Sequence, residues 1–373
     1  MNRATPIRRW GEPPWQSMTL TGSAAAAANP DAAIVGGGLT GMSTAFHLAR
    51  RGLTVAVFEA ATLGDGASGR TGGIVLEGTA VGVLPGAGDC LPGLERLVRE
   101  LRIDCDLRLP GCLEIEHSRA RGGSALPWND SGVPIRIART VAGGSVQPRA
   151  LLSGLATAAV AAGATICERS PVRRLHFGSH PALELDDRVV SPRHIIVALN
   201  AWTAALVPKL PRIQSAMTFA CATEPLDDVV IKEIGLHARI PFYTADTPYL
   251  WGRVTADNRV VFGAGLAFGK PDDLERYDIA GNSAADVIAR LQARVHRLHS
   301  ALAGVSIPWQ WAGPIAFTED AIPILARHPD HNGVLVAGAY AGHGVAFSVY
   351  AGELMARAIC DGAALPEWGA LRR

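Results

Sequence analysis

The chain has 373 residues, 48% of them hydrophobic, with 35 Lys and Arg against 34 Asp and Glu and a formal net charge of +1. That length sets an expectation of two or three domains, each with its own core, and charge this balanced and dispersed disfavours nucleic acid or a membrane surface as partner. No apolar run reaches the ~18 residues of a membrane span, and Cys90, Cys105, Cys112, Cys167, Cys221 and Cys360 form no CxxC pair and no metal-type grouping with histidine, so reduced thiols in a cytoplasmic protein without a metal are expected.

At the N-terminus, Arg8 and Arg9 are followed by WGEPPWQSMTLTG, which has two prolines and no apolar core segment, so export is not expected. Residues 1–30 are expected to be a leader that drapes over the next unit or stays mobile, with the alanine run at 24–28 a linker or short helix end. Residues 32–70 read strand, Gly-rich turn, helix, strand and acid, the context a dinucleotide fingerprint requires. Gly36 lets the chain turn off the strand, Gly38 lets backbone approach a pyrophosphate, and Gly41 lets the helix lie close to the sheet. Met42, Ala45, Phe46 and Ala49 give the helix one apolar face, and its N-terminus points at phosphate. Glu59 ends the strand TVAVFE, placed to accept hydrogen bonds from ribose hydroxyls.

The stretch TLGDGASGRTGG that follows is too Gly-rich for a helix and too long for a hairpin turn, so a binding loop or a disordered one is expected. Residues 86–145 lack long periodicity and contain the loop-like RARGGSALPWNDSG, while CLEIEH and VPIRIAR alternate as strands do. PRALLSGLATAAVAAGATI predicts a helix with Leu151, Leu155 and Ala159 on one face, capped by Gly163, then a strand; HIIVALNAW predicts another buried strand. Between 216 and 310, MTFACATEPL, TPYLWGRV and NRVVFGAGLAF predict an antiparallel sheet with a turn at Asp257 and Asn258, and residues 284–302 a helix. NGVLVAGAYAGHGVAFSVYAGELMARAI predicts strand, Gly-rich turn and helix, where Gly338, Gly342 and Gly344 bring a second helix N-terminus to a ligand. The string GAGLAFG at 263–269 is followed by Pro271 and two aspartates, so no helix is expected there and no second nucleotide site.

The fingerprint, GASGRTGG, ATEPL at 222–226, YLWGRVTADNRVVFG, WAGPIAFTEDAIPIL and AGAYAGHGVAFS, in that order from about residue 30 to 360, resemble the FAD-dependent D-amino-acid oxidase/glycine oxidase superfamily, nearest its gamma-glutamylputrescine oxidase-like amine oxidase branch. The resemblance implies an α/β fold, α+β overall: a Rossmann-like FAD-binding domain (31–85, 146–215 and 310–373) with a discontinuous antiparallel-sheet substrate domain (86–145 and 216–309). It implies oxidation of a C–N bond of an amine or amino-acid-like substrate to an imine by hydride transfer to flavin, with reoxidation by dioxygen to hydrogen peroxide. The implied partners are a small-molecule amine and dioxygen; no oligomeric state is implied. Carried over, Gly36, Gly38, Gly41 and Glu59 hold the ADP half. Ser68, Arg70, Thr71, Gly72 and Gly73 line the pyrophosphate and flavin, Thr71 replacing the branch's usual Asn. Val172 meets adenine through its backbone, and Gly342, His343, Gly344 and Val345 form the turn at the flavin's pyrimidine end.

Departures shape the remaining expectations. Relatives tether flavin through a cysteine where this chain has Ile315, so non-covalent FAD is expected. A substrate-binding lysine of relatives falls on Ala346 and an oxygen-activating one on Phe262; only Lys209, Lys232 and Lys270 occur in the whole sequence. Tyr249, Trp251 and Arg253 are pocket candidates through strand alternation, and His343 is a fourth, more in keeping with packing than with a base. No catalytic side chain is assigned, because the flavin carries the chemistry. An aromatic hydroxylase would need a GD-containing motif near the last strand, which AGAYAGHG does not supply. Residues 86–145 are shorter than the branch's arm, which with the missing lysines raises the alternatives of a flavin-binding scaffold or a dehydrogenase subunit using another acceptor.

Overall fold

Two large sheets share the chain in a computed structural model that describes residues 9–15, 29–119, 124–177, 181–207, 210 and 212–371. The alanine run at 24–28 and Lys209 lie outside the described residues. The first sheet has six strands in the order Ile324–His328, His331–Gly338, His194–Val197, Ala32–Val35, Val55–Phe58 and Thr165–Cys167. All neighbours are parallel except the edge pair Ile324–His328 and His331–Gly338. Ala32–Val35 and Val55–Phe58 are buried at every residue, as strands covered on both faces are. In such sheets ligands collect at the carboxyl ends of the strands.

One face carries the helices Leu39–Ala49, Pro148–Ala161 and Gly344–Cys360 in a single core. Every residue of Leu39–Ala49 is buried. It meets Gly344–Cys360 so closely that a Cβ on Gly352 would lie 2.5 Å from that of Ser43, whose hydroxyl donates to the Val349 carbonyl at 2.6 Å. A fourth helix, Cys90–Glu100, corrects the expectation that residues 86–145 lack long periodicity: Cys90, Leu91, Leu94 and Leu97 are buried in this same core. Pro92 and Gly93 obscure its pattern, but a proline is tolerated in the first helical turn. Its leading N–H groups are satisfied from a distance, Cys90 and Leu91 donating to the Glu77 carboxylate at 2.7 and 3.0 Å.

The second sheet has eight strands: Trp309–Thr318, Ile213–Ala222, Val260–Gly269, Trp251–Val254, Phe242–Thr244, Cys112–His117, Val133–Val141 and Ala125–Asp130. It is antiparallel save where Phe242–Thr244 runs parallel to Cys112–His117. Ala125–Asp130 alternates exposed and buried residues, so part of the expected loop RARGGSALPWNDSG is strand; residues 120–123 lie outside the described residues. The turn at Asp257 and Asn258 is as expected, with Asn258 left-handed at φ +64°. The helix expected over 284–302 is Asn282–Leu298 followed by a separate turn, Ser300–Leu302.

Two local expectations change. HIIVALNAW is strand only over His194–Val197, and Asn200–Trp202 is a 3-10 turn. A short helix, Pro271–Glu275, does begin after GAGLAFG, contrary to the sequence reading. The glycines of that string are nonetheless strand residues of Val260–Gly269, paired with Ile213–Ala222 across a register shift. They form no phosphate-binding turn.

Candidate cofactor and substrate site

The fingerprint turn is built on contacts that leave no room for side chains. Gly36 has φ +105° and its N–H donates to the Phe58 carbonyl at 2.9 Å; a Cβ on Gly41 would lie 2.0 Å from the Gly36 carbonyl oxygen. The Glu59 carboxylate accepts from Gly37 N at 2.8 Å and Ala61 N at 3.0 Å, which fixes it beside the turn. Backbone bonds from Arg169 to Ala61 and from Ser170 to Glu59, both 2.8 Å, bring the segment with Val172 alongside. Val172 itself packs against the core on the sheet's other face.

A cavity of about 440 Å³ opens beyond the turn, within the size range of small-molecule sites. Two helix N-termini reach it, Gly38 to Thr40 of Leu39–Ala49 and Gly342 to Val345 of Gly344–Cys360. Neither helix has an acidic residue in its first turn or a side-chain hydrogen bond from its cap residue, so the positive ends of both dipoles face the cavity. Ala67, Ser68, Arg70, Thr71 and Gly72 form one side. The Ser68 hydroxyl accepts from Leu39 N at 3.0 Å and so docks this loop on the fingerprint helix. The lining also includes Tyr243, Tyr249 and Trp251, and strand residues Gly313 to Phe317 complete it. No Asp, Glu or Lys lines the cavity among the described residues, and Arg70 and His343 are its only basic groups.

The candidates divide accordingly. Gly38, Ser68, Arg70, Thr71, Gly72, Tyr249, Trp251, Gly342, His343, Gly344 and Val345 line one cavity; Gly36, Gly41, Glu59, Gly73, Val172, Gly338 and Arg253 do not. Gly338 is a packing position, where a Cβ would lie 3.1 Å from the Asn200 Cα. Gly73, at φ +79°, passes 2.1 Å from the Val146 carbonyl by the same measure. Arg253 shares the strand face of Trp251 but lies under the loop: it is 1% exposed, its Nε donates to the Gly72 carbonyl and its Nη2 is buried without a partner. Burial pushes its pKa down to about 10. Although Arg70 lines the cavity, its guanidinium is engaged below, by the carbonyls of Asp65 and Gly11 and the carboxylate of Glu12.

Before Gly344–Cys360, Ala339 and Ala341 have φ +57° and +50° beside Gly342 at +86°. Non-glycine residues in that region cost about 1–3 kcal/mol each, and such outliers gather at functional sites. Ala341 N is tied to the Ala316 carbonyl at 2.9 Å and the Tyr340 hydroxyl bonds Thr40 Oγ1 at 2.7 Å, joining the two helix starts. Burial lowers the His343 pKa and so disfavours a charged imidazole; its Nδ1 lies 3.4 Å from the Ala341 carbonyl. Sequence reading missed Tyr340, Tyr243 and Asn200. Tyr340 stood inside AGAYAGHG, where the glycines drew attention, while PFYT around Tyr243 carries no local signal.

Tyr249 is positioned by a charged cluster behind it. Arg294 donates to the Tyr249 and Pro248 carbonyls at 2.8 and 2.7 Å and to Asp130 at 2.9 Å. His117 Nε2 is 2.8 Å from Asp130 and Nδ1 is 3.0 Å from Asp246 in the same loop as Tyr249. Burial opposes charge on His117, but the hydrogen bonds to Asp130 and Asp246 outweigh it and raise the pKa. A raised folded-state pKa gives stabilisation that is full below the ordinary value of about 6.5 and is lost as pH rises through the folded value. Thermal midpoints are therefore expected to fall as pH rises through that window in the unaltered protein and to fall less in His117→Gln; equal pH slopes for both proteins would disprove the role.

Among the departures, Ile315 lines the cavity and none of the six cysteines does; none of the six forms a disulfide and five are buried. Ala346 is buried within its helix, off the cavity. Phe262 faces away from it, packed with Trp128 and Phe242 in the core against Asn282–Leu298, because alternation puts Val261 and Gly263 on the Trp251 side. Among the described residues no group of side chains could hold a metal ion, and no helix is long and apolar enough to cross a membrane.

The residues fit FAD as the resemblance implies: an acid beside a Gly-rich turn for the ribose, and two helix N-termini over one acid-free cavity for anionic groups. The family model described as DAO, FAD dependent oxidoreductase, matches residues 31–358; residues 9–15 lie outside that span. Gamma-glutamylputrescine oxidoreductase of Escherichia coli is 29% identical, the alignment covering 87% of this chain and 82% of that protein. Glycine oxidase of Geobacillus kaustophilus is 25% identical over 87% and 92%. The crystal structure of glycine oxidase from Geobacillus kaustophilus superposes with TM-score 0.74 at 21% identity over 93% and 99% of the two chains. L-proline dehydrogenase from P. horikoshii gives 0.74 at 18% identity over 92% and 96%.

Proposed function

We propose, for a chain that belongs to the FAD dependent oxidoreductase family, that it oxidises the C–N bond of a small-molecule amine held in the cavity between the two sheets. FAD, when bound, would supply a hydride acceptor for the carbon bearing nitrogen and a route for two electrons and two protons to dioxygen, the products being an imine that water hydrolyses and hydrogen peroxide. The observation that carries this reading is the cavity itself, where both helix N-termini, the GASGR loop and the aromatic side chains of Tyr243, Tyr249 and Trp251 converge. Glu59 and Gly36 to Gly41 would hold the ADP half. Ser68, Thr71 and Gly72 would line the ring system, and the start of Gly344–Cys360 would stabilise negative charge on its pyrimidine end. We assign FAD as non-covalent, supported by Ile315 in the cavity wall and by a lining that includes no cysteine among the described residues. Six cysteines without a disulfide among them support a reducing, cytoplasmic setting.

The lining also narrows the substrate. An α-amino acid would bring a carboxylate, and the one arginine at the cavity is already committed to Glu12 and Asp65. Aromatic faces attract an ammonium group instead, which favours an amine without a neighbouring carboxylate. Glycine oxidase is a relative and L-proline dehydrogenase shares the fold, and no lysine lines the cavity among the described residues. A dehydrogenase using another acceptor is therefore the second reading. An anaerobic visible titration with amines and amino acids decides between them. Bleaching of the flavin band followed by recovery and peroxide on admitting air supports the oxidase, bleaching without recovery the dehydrogenase, and no bleaching by any amine would leave a scaffold.

A further inference from the structure

The residues of WGEPPW are not a loose leader. Trp10 is fully buried, stacks on Trp202 at 6.1 Å between ring centroids and donates through Nε1 to the Leu274 carbonyl at 2.9 Å. Gly11, at φ +70°, pairs with Trp311 of the second sheet, and a Cβ there would lie 2.2 Å from the Gln310 carbonyl. Trp15 is 9% exposed and meets Trp311 edge to face at 5.4 Å. The Trp10 carbonyl accepts from Ala312 N at 2.7 Å, so Trp10, Gly11 and Trp15 each hold the segment to the second sheet.

What it presses against is the underside of the loop that lines the cavity. Trp15 Nε1 donates to the Gly69 carbonyl at 2.8 Å, beside Trp311 Nε1 on the Arg70 carbonyl at 2.7 Å. Arg70 lies 5.3 Å over the Trp10 ring, and its Nη1 donates to the Gly11 carbonyl at 2.5 Å. Glu12 bridges two buried guanidiniums, Arg70 at 3.3 Å and Arg149 at 3.4 Å, and Arg149 also donates to the Gly69 carbonyl at 3.3 Å. Arg253, whose Nε takes the Gly72 carbonyl, lies 5.9 Å over the Trp15 ring. The loop is thus one layer thick, with its cavity face formed by Ala67, Ser68, Thr71 and Gly72 and its carbonyls gathered from below.

We propose that residues 9–15 are a clasp that sets the cofactor loop, with Trp15 and Glu12 acting as positioning residues for FAD binding. The clasp rests on the FAD reading above. Neither side chain touches the cavity; each acts through the Gly69 carbonyl or the Arg70 side chain, so loosening it moves the floor on which the flavin lies. The N-terminal segment is then part of the cofactor site although it precedes the fingerprint.

The test is the dissociation constant of FAD, measured by titrating flavin-stripped, full-length protein and following flavin fluorescence. Trp15→Phe keeps an aromatic ring and loses the N–H donor, and it is expected to weaken FAD about tenfold, the effect of one hydrogen bond to a buried carbonyl. Trp128→Phe is the matched control: Trp128 Nε1 donates to the Ile234 carbonyl at 2.9 Å in the core remote from the cavity. It is expected to lower the thermal midpoint and leave the FAD constant unchanged. Glu12→Gln, which disturbs an exposed side chain, covers the case in which Trp15→Phe does not fold; it is expected to weaken FAD about threefold, with Glu12→Asp restoring part of the loss. Equal FAD constants for Trp15→Phe or Glu12→Gln and the unaltered chain, or an equal weakening in Trp128→Phe, overturn the clasp alone. Failure of the unaltered chain to take up FAD overturns both the clasp and the function it rests on.

Discussion

Gly41→Ala is expected to yield a protein that purifies without flavin, its affinity for FAD reduced at least a hundredfold. The position leaves no alternative, because the new methyl would stand 2.0 Å from the Gly36 carbonyl oxygen and 3.4 Å from an Ile34 methyl. The oxygen is backbone at the tip of the first strand and the methyl belongs to a strand buried at all four residues, so the helix must back away rather than the strand. Overpacking of this kind costs about 1–3 kcal/mol, more where backbone must move. The cost falls where the Leu39–Ala49 N-terminus has to meet phosphate, and a 1 Å retreat weakens every N–H contact made there. Gly52→Ala is the control, since a Cβ there meets nothing within 4 Å although its φ is +85°; it is expected to cost stability and leave the bound flavin. Measured FAD content and dissociation constants of the two variants separate the effects. Full flavin occupancy in Gly41→Ala would remove the fingerprint from the cofactor site.

Why that prediction was open to the sequence, and others were not, follows from the range of the interactions involved. The fingerprint's determinants lie within 28 residues, so strand, turn, helix and Glu59 are readable as one local pattern. The clasp is the opposite case. Trp15 finds its carbonyl 54 residues away and Trp10 finds its own 264 residues away; with two prolines and no periodicity between them, WGEPPW looks like a leader. The Cys90–Glu100 helix was hidden for a related reason, since its cap is Glu77 and not the adjacent Asp89. Alternation predicts Tyr249, Trp251 and Arg253 on one face but carries no information about what lies over each, and of the three Arg253 is off the cavity. A flavin loop covers Arg253, whereas Trp251 is left at the edge of the cavity. The same alternation turns Phe262 into a core residue, which an alignment by eye cannot detect.

Gly263→Ala is expected to keep FAD and lose turnover, slowing flavin bleaching by amine at least tenfold. The Trp251 indole lies in a slot between two glycines: a Cβ on Gly72 would come 2.0 Å from its Cζ3, and one on Gly263 2.0 Å from its Cζ2. Closing the slot from the Gly263 side adds no atom to the cofactor loop, and with Gly72 also against the ring the indole has to swing into the cavity it borders. The cost of about 1–3 kcal/mol for a misplaced ring then appears as a filled substrate space, not as lost flavin. Trp251→Leu combined with Gly263→Ala removes the clash and is expected to restore the thermal midpoint while KM for the amine stays high, because the aromatic face that attracts an ammonium is gone. Gly72→Ala, by contrast, crowds the ring from the loop itself and is expected to weaken FAD as well as turnover. A Gly263→Ala protein that bleaches at the unaltered rate and KM would show that the Trp251 wall is structural and that the amine lies elsewhere in the cavity.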